Sequence, residues 1–202
     1  MPRTGQVNQL IRETQCTKIL DGARKVFALK GETATMSDIA LAAGVSQGLA
    51  YRYFNSKEEI FKTLLKQAVE TSFATMQNVM EMPGTPKERL DFLITKMLES
   101  RRERIEYSQL ISKAFESDTT PDEQKELIRK QVQNYQKVLR QLIVDCQSTG
   151  EVADDDPDQL MMAITASLEG LARLALRQPL QFEKHFPNNE IILRMLKPYR
   201  KE

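Results

Sequence analysis

Gln47, Tyr51, Arg52 and Tyr53 follow one another closely, beside two small residues, Gly48 and Ala50. Arg52 can bond bidentately to guanine O6 and N7, and Gln47 to adenine N6 and N7, each good contact contributing about 1–3 kcal/mol of discrimination. Tyrosine hydroxyls and the nearby Lys57 ammonium can bond to phosphate oxygens, which sets register but carries little sequence information. Small residues between these groups let a helix fit into a DNA groove. Core packing is the ordinary fate of a tyrosine. With Arg52 between Tyr51 and Tyr53 and Phe54 after them, one of the two is expected to face out.

The elements that must position these groups are two short helices, about Met36–Ala43 and Gln47–Phe54, joined through Gly44-Val45-Ser46. Ile39 and Ala40 fall where the first must pack on the second, and Ala40 and Ala43 are small enough for a close crossing. Gly44 permits the sharp turn because no Cβ obstructs positive φ. Val45 plugs the angle between the helices. Ser46 caps the second helix, and such caps leave nearby amides free to meet a phosphate.

Further along, the helix starts share one grammar. Thr85-Pro86-Lys87-Glu88, Thr120-Pro121-Asp122-Glu123 and Asp156-Pro157-Asp158-Gln159 each combine a capping side chain, a proline at the first helical position and Glu or Gln at the third. Ser56-Lys57-Glu58-Glu59 and Thr35-Met36-Ser37-Asp38 are variants. The expectation is an all-α chain of about nine helices, at about Val7–Leu29, Met36–Ala43, Gln47–Phe54, Lys57–Met82, Pro86–Arg101, Ile105–Phe115, Pro121–Gln147, Pro157–Arg177 and Asn189–Lys197. Gly31 reads as the left-handed terminator of the first.

Two of these helices say more. Ile128, Val132, Tyr135, Leu139, Leu142 and Cys146 alternate steps of four and three to make one apolar stripe. In 157–177, Leu160, Met161, Ile164, Leu168, Leu171, Leu174 and Leu176 occupy several faces, and Ala163, Ser167 and Gly170 form a small-residue strip. Such a helix is expected to be covered on nearly all sides, either by a partner subunit or as the centre of a monomeric core.

The stretch I-L-D-G-A-R-K-V-F-A-L-K-G (Ile19–Gly31), T-M-S-D-I-A (Thr35–Ala40) and A-G-V-S-Q-G-L-A-Y-R-Y-F-N-S-K-E-E-I (Ala43–Ile60) resembles the N-terminal domain of the TetR family of bacterial transcriptional regulators. The resemblance covers about residues 15–65, and the C-terminal part matches by helix layout, including Ser167–Leu171. It implies a three-helix helix-turn-helix domain over 1–56 and a helical ligand-binding and dimerisation domain over 57–202. By position it assigns Ser37, Gln47, Gly48 and Arg52 to base edges, and Thr35, Tyr51, Tyr53 and Lys57 to phosphates; Ser46 joins the phosphate set as the helix cap. Phe54 matches the aromatic that locks the recognition helix in place. Leu49 stands where many members have a phosphate-binding hydroxyl and is placed to touch a thymine methyl instead; Ala50 replaces a larger aliphatic. The resemblance further implies an effector pocket lined by residues such as Phe92, Met97, Tyr107, Phe115, Tyr135, Met161 and Met162, and a twofold interface through Ala163, Ser167, Gly170, Leu171 and Leu174. One helix-turn-helix reads only a few base pairs, whereas a dimer presents two recognition helices about 34–36 Å apart and calls for a palindromic operator.

The expected function is therefore a ligand-responsive transcriptional regulator, a repressor by family default, that binds double-stranded DNA as a homodimer and is released by a small, largely apolar effector. The alternative is a helical module for a small molecule or protein whose helix-turn-helix is only scaffold, a reading the net charge of +1 keeps open. Residues 1–62 are the more basic end, with nine Lys/Arg against six Asp/Glu. Catalysis is not expected. His185 is the sole histidine, in the loop-like Q-F-E-K-H-F-P, and no His, Cys and acid cluster has metal-ligand spacing, so neither metal nor cofactor is implied. The acids Asp154, Asp155, Asp156 and Asp158 lack the glycine and final Glu of a calcium loop and suit a helix start. Arg101-Arg102-Glu103-Arg104 reads as a solvated helix end, with contact to an acidic ligand as the second reading. Cys16 and Cys146 are far apart, the N-terminus M-P-R-T-G-Q-V-N-Q-L has no signal-peptide core, and no apolar run approaches a membrane span. A cytoplasmic location is the expectation.

Overall fold

The local signals for helix starts act as read at Thr35, Thr85 and Asp156. Thr35 accepts a hydrogen bond from Asp38 N while Asp38 accepts from Thr35 N, and Thr85 and Glu88 form the same reciprocal box. Asp156 accepts from both Asp158 N and Gln159 N, so the acidic run serves as a helix cap. In the computed structural model, which describes residues 5–198, the helices are α1 (Gly5–Lys30), α2 (Met36–Ala43), α3 (Gln47–Tyr53), α4 (Lys57–Glu81), α5 (Pro86–Glu103), α6 (Ile105–Glu116), α7 (Asp122–Ser148), α8 (Pro157–Arg177), α9 (Pro179–Lys184) and α10 (Asn189–Arg194). A 3-10 turn, Gly31–Thr33, follows α1. The fold is all-helical, and no strand occurs among the described residues.

Two compact units emerge. The first comprises Met1–Ala68 and Gln109–Lys125, the second Val69–Ser108 and Glu126–Glu202. In the first, α1 buries Ile19, Ala23 and Phe27, α2 buries Ile39 and Ala40, α3 buries Ala50, and α4 buries Ile60 and Leu64. Phe27 meets Phe61 edge to face at 5.2 Å between centroids. The decisive approach is between α1 and α2. A Cβ built on Gly22 would stand 2.6 Å from the Ala43 backbone nitrogen, so only glycine allows the crossing. Ala43 is followed at once by Gly44, whose φ of 65° turns the chain toward α3. Lys113 of α6 donates to Leu29 O at 3.0 Å, satisfying one of the carbonyls that end α1.

The second unit has one apolar core. α4 contributes Met76 and Val79, α5 Leu90, Leu93, Ile94, Met97 and Leu98, α7 Leu139, Leu142, Ile143 and Cys146, and α8 Ile164 and Leu168. Ile192 and Leu196 close it from the C-terminal side. Asn189 Nδ2 donates to Thr95 Oγ1 at 3.0 Å and ties the start of α10 to α5.

Several expectations need correction. Only part of Q-F-E-K-H-F-P is a loop: Pro179–Lys184 forms α9, with proline at its first turn and no side-chain cap, while His185, at its C-cap, and Phe186 and Pro187 lie outside the helix. α10 ends at Arg194 rather than Lys197, and α7 begins at Asp122, one residue beyond Pro121. Of the α7 stripe, Val132 is 46% exposed while Ile128, Leu139, Leu142 and Cys146 are buried. Within this chain α8 is not covered all round, for Met162 is 60% and Leu176 51% exposed, so of the two expected covers the centre of a single-chain core is not the one found. α5 runs on through Glu103, and Arg101 is not a solvated end: it is half-buried, with its Nε fully buried.

The Gly22 crossing yields a direct expectation. Gly22→Ala forces the α1 and α2 backbones apart and destabilises the first unit by about 1–3 kcal/mol. Urea unfolding followed by circular dichroism checks it, and an unchanged midpoint would show that the crossing has slack.

Candidate nucleic-acid interface

α3 is short, and its two faces differ in kind. Ala50 is fully buried and Phe54, at the C-cap, is nearly so, which pins the inner face to the unit's core. On the outer face Gln47, Gly48, Tyr51 and Arg52 are exposed, Tyr51 to 49%. Tyr53 is half-buried, so Tyr51 is the tyrosine that turns outward. Among the described residues, none of the side chains of Ser37, Gln47, Tyr51 and Arg52 is engaged in a hydrogen bond or ion pair. Exposed groups able to bond bidentately to base edges are thus held on a rigid element with their valences open.

Gly48 supports the same reading by a different route. A glycine inside a helix costs up to about 1 kcal/mol relative to alanine. Here a Cβ would meet nothing within 4 Å, so the glycine serves no packing purpose within the chain. Its lack of a side chain becomes useful when another surface lies against α3.

The residues around α3 are engaged to different degrees. Ser46 Oγ accepts from Leu49 N at 3.1 Å and keeps its own O–H to donate. The Thr35 hydroxyl is used twice, donating to Asp38 Oδ2 at 2.8 Å and accepting from Asp38 N at 3.1 Å. Lys57 Nζ donates to Glu32 O at 2.6 Å and Ala34 O at 2.9 Å, fastening the start of α4 to the link between α1 and α2. An ammonium has three donors, so one stays free. That anchoring is absent from the sequence reading, because the partners are 25 and 23 residues away. Lys30 Nζ pairs with Asp38 Oδ1 at 2.6 Å. Leu49, expected beside a thymine methyl, is half-buried.

In the second unit, Met97 belongs to the core, and Phe92, Tyr135 and Met161 pack against it. Tyr107 is half-buried and outside that cluster, while Phe115 and Met162 are exposed, so the structure gathers four of the seven residues expected at an effector pocket. Of the strip on α8, Ala163 is exposed, Ser167, Gly170 and Leu171 are half-buried, and Leu174 is 44% exposed. A Cβ on Gly170 would meet nothing within 4 Å. Ser167 Oγ lies 4.0 Å from Met195 Sδ, which brings Met195, just past α10, to the same side. His185 lines a groove of about 170 Å³ with Leu171, Leu174 and Phe182, beside this face.

Two outcomes follow from this geometry. Gly48→Ala leaves the free protein equally or more stable, by up to about 1 kcal/mol, yet weakens retention of duplex DNA; melts and electrophoretic retardation of the same preparation check both halves. The hydrogen bond from Lys30, then those from Thr35, hold the Asp38 carboxyl below the usual aspartate range. A depressed folded-state pKa contributes stability above the unfolded value and loses it as pH falls through the folded one. Asp38→Asn is therefore less stable than the parent at about pH 7, and the gap closes as acid protonates the folded-state carboxyl, below the ordinary aspartate range; denaturant titrations at neutral and at strongly acidic pH measure the gap.

Comparison with known proteins agrees in register with these elements. Residues 19–64 match the family described as bacterial regulatory proteins, tetR family, and residues 83–173 match the tetracyclin repressor-like C-terminal domain, together more than half of the chain. The HTH-type transcriptional repressor KstR2 of Mycobacterium tuberculosis is 35% identical over 97 residues, 48% of this chain and 46% of that protein. The fatty acid metabolism regulator protein of Bacillus subtilis is 35% identical over 80 residues, 39% and 41% of the two chains. The chain thus spans less than half the length of these curated relatives. The structure of the ketosteroid transcriptional regulator KstR2 of Mycobacterium tuberculosis shares the fold over 90% of this chain and 94% of that one, with a TM-score of 0.72 at 22% identity. With its helix-turn-helix and its C-terminal helical region both matched, the chain belongs to the TetR family of bacterial regulatory proteins.

Proposed function

We propose that this protein is a transcriptional repressor that binds a palindromic operator as a homodimer and lets go when a small, largely apolar effector enters its C-terminal domain. The observation that carries the reading is the outer edge of α3, where Gln47, Gly48, Tyr51 and Arg52 are exposed and, among the described residues, the side chains of Gln47, Tyr51 and Arg52 make no hydrogen bond. Ser37, Gln47, Gly48 and Arg52 face base edges. Thr35, Ser46, Tyr51, Tyr53 and Lys57 line the phosphates, Ser46 through its free O–H and Lys57 through its third N–H. The helix-turn-helix domain is taken as residues 1–56 and the ligand-binding and dimerisation domain as 57–202.

The second copy is assigned to the apolar face of α8 and the adjoining C-terminal residues. Met162, Leu174, Ile191 and Met195 are exposed there, around Ala163, Ser167, Gly170 and Leu171. An exposed apolar face with small residues at its centre suits self-complementary helix packing about a twofold axis. The effector is placed against Phe92, Met97, Tyr135 and Met161, within the second unit. Flexible methionines suit a cavity that opens on demand. Relatives named for fatty acid and ketosteroid regulation lend support to an apolar ligand body.

Fluorescence anisotropy on a retained duplex tests the scheme. Binding should weaken steeply as salt rises. Arg52→Ala should relax base preference at one position per half-site by about 1–3 kcal/mol, whereas Lys57→Ala should weaken all sequences alike. An Arg52→Ala protein with undiminished discrimination would remove Arg52 from base reading. Ala163→Glu should give a monomer by sedimentation velocity, still helical but unable to hold the palindrome; an intact dimer would place the interface elsewhere.

A further inference from the structure

Along α5, Leu90, Ile94, Met97 and Arg101 fall at steps of four, three and four, the spacing of one helix face. The first three belong to the apolar core of the second unit. Arg101 therefore continues a core-facing row with a guanidinium. Its Nε is buried and, among the described residues, has no hydrogen-bond partner, and the side chain forms no ion pair. The neighbouring Arg102 behaves differently: it is exposed and lies over the Phe186 ring at 5.7 Å.

Tyr135 packs against the same core from α7, in the row that continues through Leu139 and Leu142. It lies within electrostatic range of Arg101. Burial pushes its hydroxyl well above the ordinary tyrosine range, so it keeps its proton and remains a donor. Burial also pulls the Arg101 guanidinium down, against the opposing influence of Tyr135 and of Glu169. Glu169 is exposed on α8 and is not joined to Arg101 by a salt bridge.

We propose that Arg101 and Tyr135 form the polar end of the effector site and that the effector is an amphipathic monoanion, a carboxylate on an apolar body. This rests on the reading of the second unit as an effector domain. An arginine whose Nε is buried and unpaired, within electrostatic range of a phenol that keeps its proton, with no acceptor bonded to either among the described residues, is complementary to a group that only accepts. A carboxylate is such a group, and its single charge matches the single cation. A phosphate dianion would bring a second charge into a low-dielectric site with nothing to balance it. The surroundings that Met97, Phe92 and Met161 provide suit the apolar remainder of the molecule.

Isothermal titration of the full-length protein with octanoate, decanoate and dodecanoate, and with dodecanol and methyl dodecanoate, tests the assignment. At least one carboxylate should bind the parent, about ten-fold or more tightly than the neutral compounds, as a charge-assisted bond implies. Arg101→Met should erase that preference, Tyr135→Phe should reduce it, and Arg102→Met should leave it intact. Arg101→Met should also raise the thermal midpoint, because it removes a buried Nε that no group in the described residues satisfies. The proposal is overturned if none of the carboxylates binds, if neutral compounds bind as well as carboxylates, if Arg101→Met keeps the preference, or if that variant melts lower, the mark of a structural arginine. Operator retention scored in the same titrations separates the two levels. A carboxylate that binds through Arg101 without ever releasing DNA refutes effector release and leaves the site standing. Release by dodecanol alone refutes the site and leaves effector release standing.

Discussion

The whole first unit depends on how closely α1 approaches α2. Gly22 lets the Ala43 backbone come to where a Cβ would be. Because Gly44 follows directly with a left-handed φ, the position of that crossing fixes where α3 begins and which way it faces. Ala50 and Phe54 then clamp the inner side of α3, leaving the outer side no freedom to turn in. A recognition surface that must match base edges to within fractions of an ångström needs such over-determination, since orientation errors remove bidentate bonds first. Lys57 adds a second fastening from α4, through two backbone carbonyls rather than a charge partner.

Polarity is distributed by purpose across the two units. On α3 the unpaired groups are exposed, where water satisfies them at little cost until another surface arrives. In the second unit Arg101 Nε has no partner among the described residues and is buried, where desolvation is expensive. One arrangement suits a large, wet, charged surface that is met and left repeatedly. The other suits a small molecule whose entry brings its own acceptor. The exposed apolar face of α8 is a third kind of surface, with neither open donors nor charges at its small-residue centre.

Much of this was legible in the sequence because the signals are local. Thr35, Thr85 and Asp156 cap the helices they precede, and a capping residue acts within three positions of itself. The outward set of α3 follows from side-chain type and helical spacing, and the structure settles which tyrosine turns out. What was not legible depends on distance or on a missing signal. α9 starts at a proline without a capping side chain, so Q-F-E-K-H-F-P reads as loop. Arg101 hides in a charged cluster, although the Leu90, Ile94, Met97 row already pointed at it. The Lys57 contacts and the Gly22 crossing join residues more than 20 positions apart, and no local pattern announces them.

The central claim is that the outer edge of α3 reads base pairs, twice per assembly. Selection of the full-length protein against a pool of random duplexes tests it most directly. The account predicts one enriched motif with twofold symmetry, its half-sites centred about one helical turn apart. A pool that emerges without an enriched motif, or with one lacking symmetry, would contradict it.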